Sequence, residues 1–151
     1  MLRYAVLVVL VCASAPLRAQ YGPVQDSTLI GLRRVALNVT TDVKDANTFR
    51  EDIALELRKA GIRVAPDSTR PDSVDGVLNV LVRSRGSCQK LIRIDVEQRA
   101  RLVRTGNTHR MVTWFYEDDA NGTACRDSWY PGAIKRAVDA FLTKWLDVNG
   151  R

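Results

Sequence analysis

The feature that most limits the fold is an alternating stretch over residues 90–104, followed at once by Gly106-Asn107. Ile92, Ile94, Val96, Ala100 and Leu102 share one parity, and Arg93, Asp95, Glu97, Arg99 and Arg101 share the other. That period of two is a strand with one buried face and one solvated face. Gly-Asn is a two-residue hairpin signal, so residues 109–117 are expected to return antiparallel beside it. A long hairpin with one apolar face needs a second layer packed against that face.

The rest of the chain supplies that layer. Val35, Leu37 and Val39 alternate with polar or small residues over 33–39, giving a half-buried strand. Thr48 and Glu51 make a capping-box pattern, Phe49, Ile53, Leu57 and Ala60 line one helical face, and Gly61 ends the helix. A short strand follows at 62–65, an exposed Pro-, Ser- and Asp-rich loop at 66–75, and an apolar, central strand at 77–82. A last helix, from 127 or 128 to 147, carries Ile134, Ala137, Val138, Phe141, Trp145 and Leu146 as its stripe. The order β-α-β-β-β-β-α predicts an α+β two-layer sandwich: a mixed four- or five-stranded sheet with two helices on one face and the other face comparatively open. Residues 33–148 read as a single α/β domain preceded by an extended segment, 20–32, with no internal repeat.

Residues 1–19 have the layout of a secretory signal peptide: Arg3, an apolar run to Cys12, and a small-residue stretch ending Leu17-Arg18-Ala19. The run is too short to span a bilayer, which takes roughly 20 apolar residues, so no transmembrane span is expected after cleavage. Val9-Leu10-Val11 before Cys12 lacks the small residue of a lipidation site. Loss of Arg3 and Arg18 lowers the formal charge from +6 to +4. That mild excess favours anionic surfaces and is too small to name nucleic acid as a partner. Cys88 and Cys125 remain, an even count in a small exported domain, so a disulfide is expected in the periplasm or outside the cell. If Gly106 and Asn107 form the whole turn, Arg99 faces Trp114 and Cys88 faces Cys125, which brings the two thiols together independently of the redox reasoning.

Reaction centres are scarce. His109 is the one histidine, beside the hairpin turn, and none of Ser84, Ser87 and Ser128 lies in a nucleophile-elbow motif. A surface strand-end histidine is the expectation, and a small hydrolase would have to pair His109 with Asp118 or Asp119. The run Glu117-Asp118-Asp119-Ala120-Asn121-Gly122 matches half a calcium loop, but Ser128 stands where a bidentate glutamate should close it, so an acidic surface turn is expected. Phosphate-binding glycine patterns are absent. No metal, no cofactor and no catalysis are expected.

The open sheet face is the most suggestive surface. In the two-residue-turn register it gathers Arg99, Arg101, Arg110, Val112, Trp114 and Tyr116 with Asp95 and Glu97. Guanidinium groups over aromatic faces would suit an anionic, partly apolar partner. Cross-strand pairing that merely solvates the sheet explains the same residues. A turn differing by one residue would send Trp114 and Tyr116 into the core.

Val35-Ala36-Leu37-Asn38-Val39, the helix with Phe49, Ile53 and Leu57, then Ala60-Gly61-Ile62-Arg63-Val64 and Asp75-Gly76-Val77-Leu78-Asn79-Val80 form a strand-helix-strand-strand start. This resembles the lipopolysaccharide-assembly lipoprotein family and the amino-terminal domain of the TolB family. The resemblance implies a non-enzymatic accessory of the bacterial envelope that binds an envelope protein or an anionic envelope component through its sheet face or a sheet edge. A secreted ligand-binding or inhibitor-like domain is the alternative. Oligomeric state is not readable from these residues.

Overall fold

The computed structural model describes residues 26–42, 46–85, 89–121 and 129–150. The elements run β1 (Arg34–Thr41), α1 (Ala46–Lys59), β2 (Arg63–Val64), β3 (Gly76–Arg85), β4 (Gln89–Arg101), β5 (Thr108–Asn121) and α2 (Trp129–Asn149), with short 3-10 turns at Asp26–Leu29 and Pro71–Ser73. The order β-α-β-β-β-β-α and the α+β sandwich are as expected from the sequence. The five strands lie in the order β2-β1-β3-β4-β5. β1 is parallel to β2 and β3, and β4 is antiparallel to β3 and β5.

One side of the sheet carries Val35, Leu37, Leu78, Val80, Val82, Ile92, Ile94, Val96 and Trp114, all buried against the helices. Helix α1 contributes Ile53, Ala54 and Leu57, and α2 contributes Ala133, Ile134, Ala137, Val138, Phe141 and Trp145. Each large apolar side chain withdrawn this completely contributes roughly 1.5–3 kcal/mol before chain entropy is set against it. Helix α1 begins at Ala46, so Thr48 lies inside its first turn rather than before it. Its end is as expected. Gly61, at φ +93°, allows Gly61 N–H to bond Arg58 O and Ile62 N–H to bond Leu57 O, a paired closure that satisfies two terminal carbonyls.

The extended segment expected at 20–32 is not outlying where it is described. Leu29 and Leu32 are fully buried, and α2 holds this stretch through Trp145 Nε1–H to Leu32 O (2.7 Å) and Asn149 Nδ2–H to Leu29 O (3.1 Å). The domain's core therefore begins at Leu29.

The loop between β2 and β3 also does more than connect. With β2 and β3 on opposite sides of β1, the β1-α1-β2 crossover and the β2-to-β3 crossover must use opposite faces if both are right-handed. The second crossover accordingly carries Pro71–Ser73 onto the face without helices, where Asp72 meets Arg99 and Arg110. Asp75 fixes its end by accepting the N–H groups of Arg33 and Arg34 at 2.8 and 2.7 Å.

Candidate functional site

The β4–β5 ladder decides which side chains reach the helix-free face. The turn is wider than two residues. β4 ends at Arg101, β5 starts at Thr108, Leu102 N–H bonds Asn107 O, and Gly106, at φ +72°, donates to Leu102 O. Gly106 supplies the left-handed residue of a four-residue loop, and Asn107 belongs to the pair that closes it. Arg99 thus faces Arg110, not Trp114, and Glu97 faces Val112.

A bulge then inverts the parity. Between Val96 and Glu97 the register shifts, leaving Thr113 as the extra residue of β5. Its hydroxyl bonds Val96 O and Gln98 Oε1, and its carbonyl accepts from Thr28 Oγ1 at 3.0 Å. Beyond it Val96 faces Trp114, Asp95 faces Phe115 and Ile94 faces Tyr116. Arg110 and Val112 therefore sit on the helix-free face as expected, whereas Trp114 and Tyr116 do not. Trp114 is 4% exposed and packs edge-on against Phe141 with ring centroids 5.4 Å apart; Tyr116 is half-buried against the same core.

Phe115 takes the place expected of Trp114. The Arg93 guanidinium lies over its ring, 5.5 Å from the centroid. Three consecutive aromatic residues give no parity of their own, and the break in alternation at Met111-Val112 was the sole sequence sign of a bulge. Asp72 was out of reach of pattern reading, since only the crossover brings it here.

The face is a connected set of polar side chains. Asn79, at its centre, accepts from Asn38 Nδ2 (3.0 Å) and donates from Nδ2 to Asp95 Oδ2 (2.9 Å) and Glu97 Oε1 (3.1 Å). Arg93 Nε is buried 3.3 Å from Asp95 Oδ1, close enough for an ion pair but without a well-aligned hydrogen bond. Arg110 lies 3.9 Å from Glu97 and 3.8 Å from Asp72, and Arg99 4.0 Å from Asp72. These are loose pairs between partly exposed groups, each contributing about 0–1 kcal/mol. Arg101 is exposed and donates from Nε to Gly106 O at 3.1 Å. On α2, Lys135 is held above its ordinary pKa by its hydrogen bond to Asp139, away from this surface.

Other candidates resolve differently. Cys88 and Cys125 lie outside the described residues, as does the segment 1–19, and the bulged register removes the alignment that had placed the cysteines opposite one another. Residues 117–121 belong to β5, so this part of the acidic run is strand, while Gly122 and Ser128 lie outside the described residues; no cluster able to hold a metal occurs among the described residues. His109 is an exposed residue at the start of β5. Asp118 and Asp119 follow it along the same strand, with Asp118 already about 30 Å away at roughly 3.3 Å per residue, so β5 brings neither of them beside His109.

The fold and face define a class: a two-layer α+β sandwich whose sheet is helix-covered on one side and arginine-bearing on the other. No family model and no curated protein matches the chain. Among solved structures it is similar to a PelC dodecamer from Paraburkholderia phytofirmans (17% identity, 76% of this chain and 88% of that one, TM-score 0.43). It is also similar to the hypothetical protein CT253 of Chlamydia trachomatis (9% identity, 76% and 99%, TM-score 0.43). A third is the lipoprotein GNA1162 of Neisseria meningitidis (14% identity, 74% and 99%, TM-score 0.27). No residue role passes from these proteins to this chain. No helix among the described residues is long and apolar enough to cross a membrane.

Proposed function

We propose that this chain is an exported accessory module of the bacterial cell envelope, without catalysis of its own, that binds an envelope protein or an anionic envelope component through the helix-free sheet face. The observation that supports it is the one-sided sandwich: both helices pack on one face, and the other presents Arg99, Arg101 and Arg110 beside Val112 and the Arg93–Phe115 stack. Arginine and an aromatic ring together favour an anionic partner with apolar parts. Export through the signal at 1–19 would place Cys88 and Cys125 in an oxidising compartment, where their disulfide would close a loop of 38 residues and contribute roughly 3–4 kcal/mol.

Crosslinking of the exported chain in its native envelope, followed by reconstitution with the captured component, tests the reading. The expected result is one component that binds the wild type and loses binding by about tenfold or more with Arg99→Glu/Arg110→Glu, at unchanged thermal stability. Equal binding by both forms would remove the face from consideration. Capture of a small soluble ligand instead would favour a secreted ligand-binding domain.

A further inference from the structure

The β4–β5 hairpin outruns the sheet. Its last partner on β3 is the pair Val77 and Glu97, yet β4 continues to Arg101 and β5 begins only at Thr108. Residues 98–101 and 108–112 therefore form a two-stranded arm reaching about 13 Å past β3, at roughly 3.3 Å per residue, before the loop adds its own length. Pro71–Ser73 braces the base of this arm on one face through Asp72. Every residue from 101 to 109 is exposed.

Two properties of the arm belong together. First, it carries four of the six large exposed apolar side chains found among the described residues: Leu102 (38%), Val103 (102%), Met111 (42%) and Val112 (45%). Scattered apolar residues need no explanation, but four on one projecting ribbon, with Val103 fully exposed on its loop, have no core of their own to enter. Second, no carboxylate occurs from residue 98 to residue 116, a stretch that holds Arg99, Arg101, Arg104, His109 and Arg110. Arg101 is drawn onto the turn by its bond to Gly106 O, so cations flank the apolar end on both sides.

We infer that the end of this arm is a docking element for an anionic phospholipid surface, with Leu102 and Val103 entering the boundary of the acyl chains and Arg101 and Arg104 meeting the phosphates. Interfacial elements sink about 5–10 Å, which matches the loop and its first flanking pair rather than the whole arm. Arginine stems can lie along the apolar boundary while their heads stay with the phosphates. A convex, narrow, basic tip suits a soft planar surface of opposite charge, and a lipid headgroup layer supplies that charge without a matched pocket. One apolar contact or one basic cluster alone gives weak, reversible membrane binding, and the arm combines the two. This inference goes beyond the sheet-face reading and does not depend on it: Arg101 belongs to both surfaces, but the residues substituted in its test, Leu102, Val103 and Arg104, are at the turn, and that test contains no protein partner.

The test is co-sedimentation of the exported chain with vesicles of phosphatidylcholine alone or mixed with phosphatidylglycerol. Wild type is expected to sediment with the mixed vesicles and to be released by salt, with little binding to phosphatidylcholine alone. Leu102→Asp/Val103→Asp and, separately, Arg104→Gln should each weaken partitioning, the first by about tenfold or more and the second by about fivefold. All three residues are exposed, so circular dichroism and thermal melting should be unchanged. Equal binding to both vesicle types, or full binding by the aspartate variant, would overturn the inference. So would tight binding to polyglutamate with none to vesicles, which would assign the arm to an acidic protein. Arg99→Glu/Arg110→Glu also removes positive charge from the base of the arm, so the two readings are separated by Leu102→Asp/Val103→Asp, which leaves both arginines in place: it should lose the vesicles and keep the crosslinked partner.

Discussion

Trp114 and Phe115 are adjacent, yet they belong to opposite layers. Trp114 meets Phe141 in the core, while Phe115 lies under Arg93 on the helix-free face. Replacing a buried tryptophan by alanine removes its transfer free energy and leaves a cavity, so Trp114→Ala is expected to cost about 3–5 kcal/mol in urea denaturation. Phe115→Ala should cost about 1 kcal/mol, because its ring is half-exposed and lies under the Arg93 guanidinium rather than in the core. A reversal of the two would mean that the bulge at Thr113 is misplaced. Before the bulge, parity was legible in the sequence: Arg99 and Arg110 share a face in both the expected and the observed register. After it, one unpaired residue exchanges every assignment, and nothing in the run Trp114-Phe115-Tyr116 marks which parity is apolar.

At the scale of elements, order and period were readable, and long-range closure was not. The helix stripes and strand alternation depend on near neighbours in sequence, and each of those elements forms within a few residues of its expected place. Leu29 and Leu32 show no period. Their partners are on α2, more than a hundred residues away, and only the folded chain shows that Trp145 and Asn149 hold their carbonyls. Leu29→Ala and Leu32→Ala are each expected to cost about 2–5 kcal/mol, the range for a fully buried leucine. An outlying segment would give less than about 0.5 kcal/mol. Thermal melts of the two variants distinguish these cases, and the larger losses would also place the turn at Asp26–Leu29 in the cooperative unit with α2.

For the whole molecule, the distribution of charge matters more than its net value of +6. Asp72 is the acidic group that the crossover sets among the arginines, within 3.8–4.0 Å of Arg110 and Arg99. It is well inside the Debye length of about 8 Å at physiological salt, so it lowers the potential that an approaching anion meets on this face. Its pairs are exposed and loose, and their loss should change stability by less than about 1 kcal/mol. Asp72→Asn is therefore expected to melt like the wild type while holding anions more tightly. An anion about 4 Å away in water-like screening feels roughly 1 kcal/mol from one charge, which sets an upper limit near fivefold. A matched control is Asp147→Asn, an exposed position on α2 that changes net charge equally but lies in the helix layer. On a sulfonate column, Asp72→Asn should elute at distinctly higher salt than Asp147→Asn. Identical elution would mean that the positive charge is spread over the molecule, and the arginine face would then have no electrostatic advantage over the rest of the surface.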